Sequence, residues 1–227
     1  MLLEKIKNFS VEDAIVFEEN DPQFLALEKL IKTVEEKKYI LELILANALI
    51  CYQLSWKWED YWEEFSSYLI ENDLDNLKNI KPFMEEFLKN CKNNKRLINI
   101  KTKRLDKISL FINAKKDKIE NYYNNFEELR NDLSKFMNQK NTAKTIVFAI
   151  KMYWYWARIL LKKTHTFPFT INIPIDSRLT KLHEIYWQWE NIEIFYEDIA
   201  KKLNIPPLHL DAIIWNNYDK LINNETI

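Results

Sequence analysis

The sequence predicts an all-α protein. Apolar residues recur at three- and four-residue steps along nearly all of its 227 residues, no stretch alternates with the period of a strand, and no internal repeat is visible. Over residues 25–49 the stripe is Leu27, Leu30, Ile31, Val34, Leu41, Ile44, Leu45, Ala48 and Leu49. Helices follow at about 61–70 and about 82–92, the second with Pro82 suited to a first helical position. Further helices are expected at about 94–113, 115–124 and 126–137. Residues 143–162 read as one long apolar-rich helix in which Ile146, Val147, Ile150 and Ile159 suit a core. Residues 166–174 are extended, because Pro168 and Pro174 interrupt a helix and restrict the residues before them. Helix resumes after Asp176, with segments at 192–203 and 209–221 separated by Ile205-Pro206-Pro207.

The size allows one compact domain or two small ones, and a hydrophobic content of 47% with 30% charged residues excludes a wholly disordered chain. A chain of this length buries enough surface to need no disulfide or metal staple. The longest apolar run, Leu43-Ile44-Leu45-Ala46, is far too short to cross a membrane. Residues 1–7 turn charged at once, and two cysteines, Cys51 and Cys91, make no disulfide framework. These features lead to the expectation of a cytoplasmic protein. His165, His183, His209 and the cysteines lack zinc spacing, no cysteine cluster suits an iron–sulfur centre, and no glycine-rich phosphate loop exists. No cofactor or metal is expected.

Glycine is absent, where ordinary usage predicts roughly 16. Six of the eight tryptophans form Trp-x-Trp pairs: Trp56/Trp58, Trp154/Trp156 and Trp187/Trp189. The expectation is that some of these indoles stand where a turn needs positive φ. That would follow if UGA codons specifying glycine had been read as tryptophan.

The net charge of −1 hides a basic segment. Residues 89–118 hold eleven Lys and Arg against Asp106 and Asp117, a local charge of +9. Such a run is either a solvated helix face or a surface that meets phosphates.

Three places have residues suited to chemistry. At Asn138-Gln139-Lys140-Asn141-Thr142-Ala143-Lys144 a polar turn enters an apolar helix. A lysine in that first turn opposes the positive helix end, which disfavours its charged form. A neutral lysine amine is a nucleophile able to make a Schiff base. At Asn172-Ile173-Pro174-Ile175-Asp176 an extended stretch delivers a carboxylate to a helix start, where aspartate is also a natural N-cap. In Leu208-His209-Leu210-Asp211-Ala212-Ile213-Ile214-Trp215, Asp211 and Trp215 are four apart and share a helix face. A carboxylate beside an indole can hydrogen-bond a base edge while the ring stacks on it.

The Lys144-Thr-Ile-Val-Phe148-Ala-Ile-Lys151 element, Pro-Ile-Asp176 and Leu-His-Leu-Asp211-Ala-Ile-Ile-Trp215 together resemble the archaeal 8-oxoguanine DNA glycosylase (AGOG) family of the helix-hairpin-helix DNA glycosylases. Asp21-Pro22-Gln23, Asn47 to Ser55 and Glu59-Asp-Tyr-Trp62 are similar to it as well, so the resemblance runs from about Asp21 to Trp215. It implies a single DNA glycosylase domain of two helical subdomains, roughly 45–160 and 1–44 plus 161–227, with the active site in the cleft between them. It implies Lys144 as the nucleophile on the sugar C1′ and Asp176 as its assisting carboxylate. Phe148 and Trp215 would sandwich the extruded base, with Gln23, Gln53, Ser55, Trp62 and Asp211 around it. Lys151 would support the site or touch phosphate. The implied activity is excision of 8-oxoguanine with strand nicking by β-elimination. The implied partner is double-stranded and also single-stranded DNA, met by a nucleoid-associated monomer away from membranes. A glycosylase for another lesion and a non-catalytic helical DNA-binding module remain the alternatives. The latter would follow if an inserted tryptophan spoils the pocket.

Overall fold

The computed structural model describes residues 1–35, 37–72, 74, 77, 79–162, 165–187 and 191–225. Among them every regular element is helical: α1 (Leu2–Ile6), α2 (Val11–Glu19), α3 (Pro22–Thr33), α4 (Ile40–Ile50), α5 (Trp58–Glu71), α6 (Ile80–Asn90), α7 (Ile98–Lys115), a 3-10 turn (Ile119–Asn124), α8 (Phe126–Met137), α9 (Lys144–Leu161), α10 (Ser177–Tyr186), α11 (Ile192–Leu203), α12 (Pro207–Asn216) and α13 (Tyr218–Ile222). They form two compact units, one of residues 21–164 and one of residues 1–20 with 165–227.

In the central unit α4 is buried on every face, as a helix apolar all round must be, and α9 lies along it. Helix α9 itself buries every residue from Ile146 to Arg158. Helices α3 and α5 pack on each other and α3 also on α9, while α6, α7 and α8 pack in sequence and reach α4 and α9. Residues 21–44, expected with the chain ends, therefore belong here, because α3 buries Phe24, Leu27, Leu30 and Ile31 within this unit. Each fully buried Leu, Ile or Phe contributes about 1.5–3 kcal/mol.

The other unit packs α2 on α12, α10 on α11 and α13, and α11 on α12. Its core includes Ile6, Leu179, Leu182, Tyr196, Ile213 and Leu221. A buried polar pair joins α2 to α12: His209 Nδ1 lies 2.8 Å from Glu18 Oε1, both fully buried. The Phe167 N–H donates to His209 Nε2 at 3.2 Å, so Nδ1 carries the proton and donates to the carboxylate. Residues 166–174 are extended or turn-like, as the two prolines require.

Several expected elements divide. The 25–49 stripe is two helices, α3 and α4, broken at Val34, whose backbone is extended at φ −79°, ψ 128°. The 209–221 helix breaks at Asn217 into α12 and α13, and residues 115–124 end in 3-10 rather than α geometry. Pro82 sits at the third position of α6, still in the first turn where its missing N–H costs nothing.

Glycine's work is done by other residues. Positive φ occurs at Gln53, Leu97, Asn138, Lys162, Asn204 and Asn224. Asn138, Lys162 and Asn204 close α8, α9 and α11 in the left-handed conformation that glycine usually supplies. The suspected tryptophans are not among these positions. Trp154 and Trp156 are 1% and 2% exposed in mid-α9, Trp58 opens α5, and Trp187 has an extended φ of −160°. The expectation that they occupy positive-φ turns fails for all five described; Trp189 lies outside the described residues.

Candidate active site

The approach to α9 is a short turn. Asn138 is left-handed, the Gln139 N–H donates to the Ser134 carbonyl at 3.0 Å, and the Ala143 N–H donates to the Lys140 carbonyl at 3.0 Å. Ala143 is the N-cap and offers no side-chain oxygen, so the helix start is held from outside. Arg104 of α7 does this: its Nη2 donates to Gln139 Oε1 at 2.6 Å and to Thr145 Oγ1 at 3.0 Å. The Thr145 hydroxyl in turn donates to Gln139 Oε1 at 3.0 Å.

Lys144 is the first residue of α9 and is half-buried. Its Nζ stands 5.1 Å from the centroid of the Trp58 ring. One turn on, Phe148 meets Trp58 edge-on at 4.9 Å and Trp62 at 6.1 Å. Trp62 is fully buried, and its indole N–H has no hydrogen-bond partner, although the Cys51 thiol lies beside it. Burial holds that thiol far above its ordinary range and lifts Cys91 to about 11, so neither sulfur is a competing nucleophile near neutrality. The structure thus brings Lys144, Phe148 and Trp62 together and adds Trp58, which the sequence marked only as anomalous.

The other candidates of this unit lie on α3, on α9 and between α4 and α5. Gln23 is 7% exposed at the second position of α3, its N–H donating to the Asp21 cap at 2.9 Å. Gln53 is exposed with φ 45°. Ser55 is committed to structure: its N–H donates to the Asn93 carbonyl at 2.8 Å and its hydroxyl accepts the Lys95 N–H at 2.9 Å. Lys151 is 6% exposed, 3.6 Å from Asp21 Oδ2, which also accepts the Tyr155 hydroxyl at 3.0 Å.

In the terminal unit Asp176 caps α10, Oδ1 accepting the N–H groups of Arg178 at 2.9 Å and Leu179 at 3.0 Å. Asp211 is half-buried on α12. Burial first, and then the charges of Asp176 and Asp211, raise the pKa of Tyr196, so both carboxylates act on one phenol. Trp215 is 37% exposed, and the Arg178 guanidinium sits 3.6 Å from its ring centroid, covering one face.

The basic segment is not one surface. Lys101 is fully buried and bonds Asn94, Arg104 turns inward, and Lys115 and Lys118 pair with Asp132 and Glu128. Lys89, Lys92, Lys95, Arg96, Lys103, Lys107 and Lys116 are exposed. The expected +9 face is therefore reduced. Burial pushes Lys101 down to about 8, and its ammonium also lies over the Tyr52 ring at 5.0 Å. Its place was open to detection, since Lys101, Leu105, Ile108 and Ile112 follow one helical stripe. Among the described residues no group of acidic, histidine and cysteine side chains has the form of a metal site, and no helix is long and apolar enough to cross a membrane.

The chain matches the family model described as AGOG, N-glycosylase/DNA lyase, over residues 3–226. An N-glycosylase/DNA lyase of Nanoarchaeum equitans is 41% identical, covering 94% of this chain and 88% of its own length. One of Methanococcus maripaludis is 38% identical over 94% of this chain and 85% of its own length. The crystal structure of AGOG from Pyrobaculum aerophilum, an 8-oxoguanine DNA glycosylase complexed with 8-oxoguanosine, aligns with TM-score 0.80. That likeness covers 96% of this chain and 86% of the other at 24% identity, and is one of fold.

Proposed function

This chain belongs to the AGOG family of N-glycosylase/DNA lyases, and from that premise we propose that it removes 8-oxoguanine from DNA by lysine Schiff-base chemistry with Lys144 as nucleophile. It is a bifunctional enzyme: it breaks the N-glycosidic bond and then the strand. The observation that carries the proposal is the cluster at the start of α9, where Lys144 stands over Trp58 and one turn from Phe148, which in turn meets Trp58 and Trp62.

The neutral Lys144 amine attacks C1′, and the base leaves with the bonding pair and takes up a proton. The nitrogen then gives up a proton, the C1′–O4′ bond breaks with its electron pair passing to O4′, which is protonated, and nitrogen and C1′ become a protonated Schiff base. Loss of a C2′ proton then expels the 3′ phosphate, and water releases the lysine. Asp176 takes the role of the carboxylate that assists the lysine and balances the cationic sugar. Phe148 and Trp215 stack the base, and Asp211, Gln23, Gln53, Ser55 and Trp62 read its edges. Two of these assignments meet competing contacts, since Ser55 is hydrogen-bonded by Lys95 and one face of Trp215 is covered by Arg178. Lys151, paired with Asp21, supports the site.

Extrusion costs a few kcal/mol, offset by stacking and edge hydrogen bonds. Exposed Lys92, Lys95, Arg96, Lys103 and Lys107 suit phosphate contacts that position DNA without reading sequence. The same reading takes the fold as helix-hairpin-helix, places the enzyme with DNA in the cytoplasm, and treats it as a monomer that accepts duplex and single-stranded DNA.

The test is borohydride trapping on an 8-oxoguanine duplex with the parent chain and Lys144→Gln. A covalent band in the parent that is lost in the variant is the expected result. A band that survives in the variant moves the nucleophile elsewhere. A folded parent that binds the duplex without trapping or nicking sinks the chemistry.

A further inference from the structure

Trp58 touches both groups on which the proposed chemistry turns. Its ring lies 5.1 Å from the Lys144 ammonium and 4.9 Å from Phe148, with the two aromatic planes at 75°. It is half-buried at the first position of α5, where the N-cap Lys57 makes no side-chain cap bond. Trp62, one turn along the same helix, meets Phe148 too, so two indoles flank the phenyl ring.

An ammonium over an aromatic face is stabilised in its charged state. Attack on a sugar carbon needs the uncharged amine. A nucleotide entering this place has to bring its base to Phe148 and its C1′ to Lys144, and those are the two groups that the Trp58 ring contacts. Resting on the function proposed above, we infer that Trp58 is a positioning residue that covers the nucleophile in the ligand-free protein. An arriving base displaces the ring from Phe148 and thereby uncovers Lys144. An abasic sugar has no base to displace the ring, so the cover stays in place. The device favours base-bearing lesions over abasic sites. It is a property of this chain's own tryptophan.

The cover is tested first without DNA. Acetylation of Lys144 by acetic anhydride, followed by peptide mass spectrometry on the full chain, reads the lysine's reactivity directly. Trp58→Ala is expected to label Lys144 about two- to thirty-fold faster than the parent, the range of a lost cation–π contact. Trp58→Phe, which keeps an aromatic face, is expected to fall between the two. With DNA, the ratio of borohydride trapping on an abasic-site duplex to 8-oxoguanine excision is expected to rise by a similar factor in Trp58→Ala. Equal labelling in parent and variants at an unchanged unfolding midpoint overturns the inference. A parallel fall in both DNA reactions also overturns it, since the ring would then be a wall of the pocket. Faster labelling in Trp58→Ala with no trapping by any form supports the cover and rejects the enzymatic reading, so the two failures are distinguishable.

Discussion

Lys101→Met exchanges a fully buried ammonium for an uncharged side chain of similar length. The lysine sits in α7, bonds Asn94 and lies over Tyr52, and burial lowers its pKa from an ordinary 10.5 to about 8. Below pH 8 the folded and unfolded chains are both charged here, and the fold bears the penalty of burying the charge. Between pH 8 and 10.5 the folded chain sheds the proton while the unfolded chain keeps it, so stability rises with pH. At 1.36 kcal/mol per pH unit, that window is worth about 3 kcal/mol. Methionine removes the penalty but strands the side-chain oxygen of Asn94, Oδ1, which costs about 1–3 kcal/mol. Parent and variant should therefore differ by no more than about 2 kcal/mol at pH 7. Urea unfolding at several pH values from 7 to 10.5 isolates the effect, because every other titrating group is common to both chains. The stability of the parent relative to the variant should grow by about 3 kcal/mol across the range. Parallel curves would falsify the reasoning.

Three further outcomes follow from named contacts. Glu18→Ala leaves the buried His209 Nδ1–H without its acceptor and should cost about 1–3 kcal/mol in urea unfolding, whereas a loss under about 0.5 kcal/mol would mean the pair is inert. Asp176→Asn keeps an N-cap oxygen and should hold the melting temperature while borohydride trapping is lost; Asp176→Ala should lose both, with about 0.5–2 kcal/mol of stability. If the asparagine variant traps at parental rates, the carboxylate has no part in the chemistry. Lys103→Ala with Arg96→Ala removes two exposed charges, so the slope of log affinity against log salt should fall by about 2, measured by fluorescence anisotropy with an undamaged duplex. An unchanged slope would move the phosphate path to another face.

The helices were legible because their apolar periodicity follows packing, and Phe126–Met137 and Ile192–Leu203 match expectation residue for residue. The breaks at Val34 and Asn217 were not, because no proline or glycine marks them and the apolar stripe runs on across each. Lys144 and Phe148 could be paired from their spacing, since four residues make one helical turn. Trp58 could not be joined to them from spacing alone, because its contact is tertiary, between α5 and α9. Charge runs misled in the same way. Counting lysines gives a local charge of +9, yet Lys101 and Arg104 lie on the inward side of α7, and a count has no face.

The order in which the units occur along the chain has a consequence for biosynthesis. Residues 21–164 are continuous and contain the helices that pack most closely on α4 and α9, so that core can assemble while the ribosome is still adding residues. Residues 1–20 leave the ribosome before this core but find their partners after it. Helix α2 packs on α12, and the Glu18–His209 bond spans 191 positions. Closing so long a loop has an entropic cost that local contacts avoid, and non-local pairing is slow. Helices α1 and α2 therefore wait, with Leu2, Ile6 and Ala14 uncovered, until residues of the later segment are made. The unit that holds Asp176 and Asp211 thus matures after the core that holds Lys144.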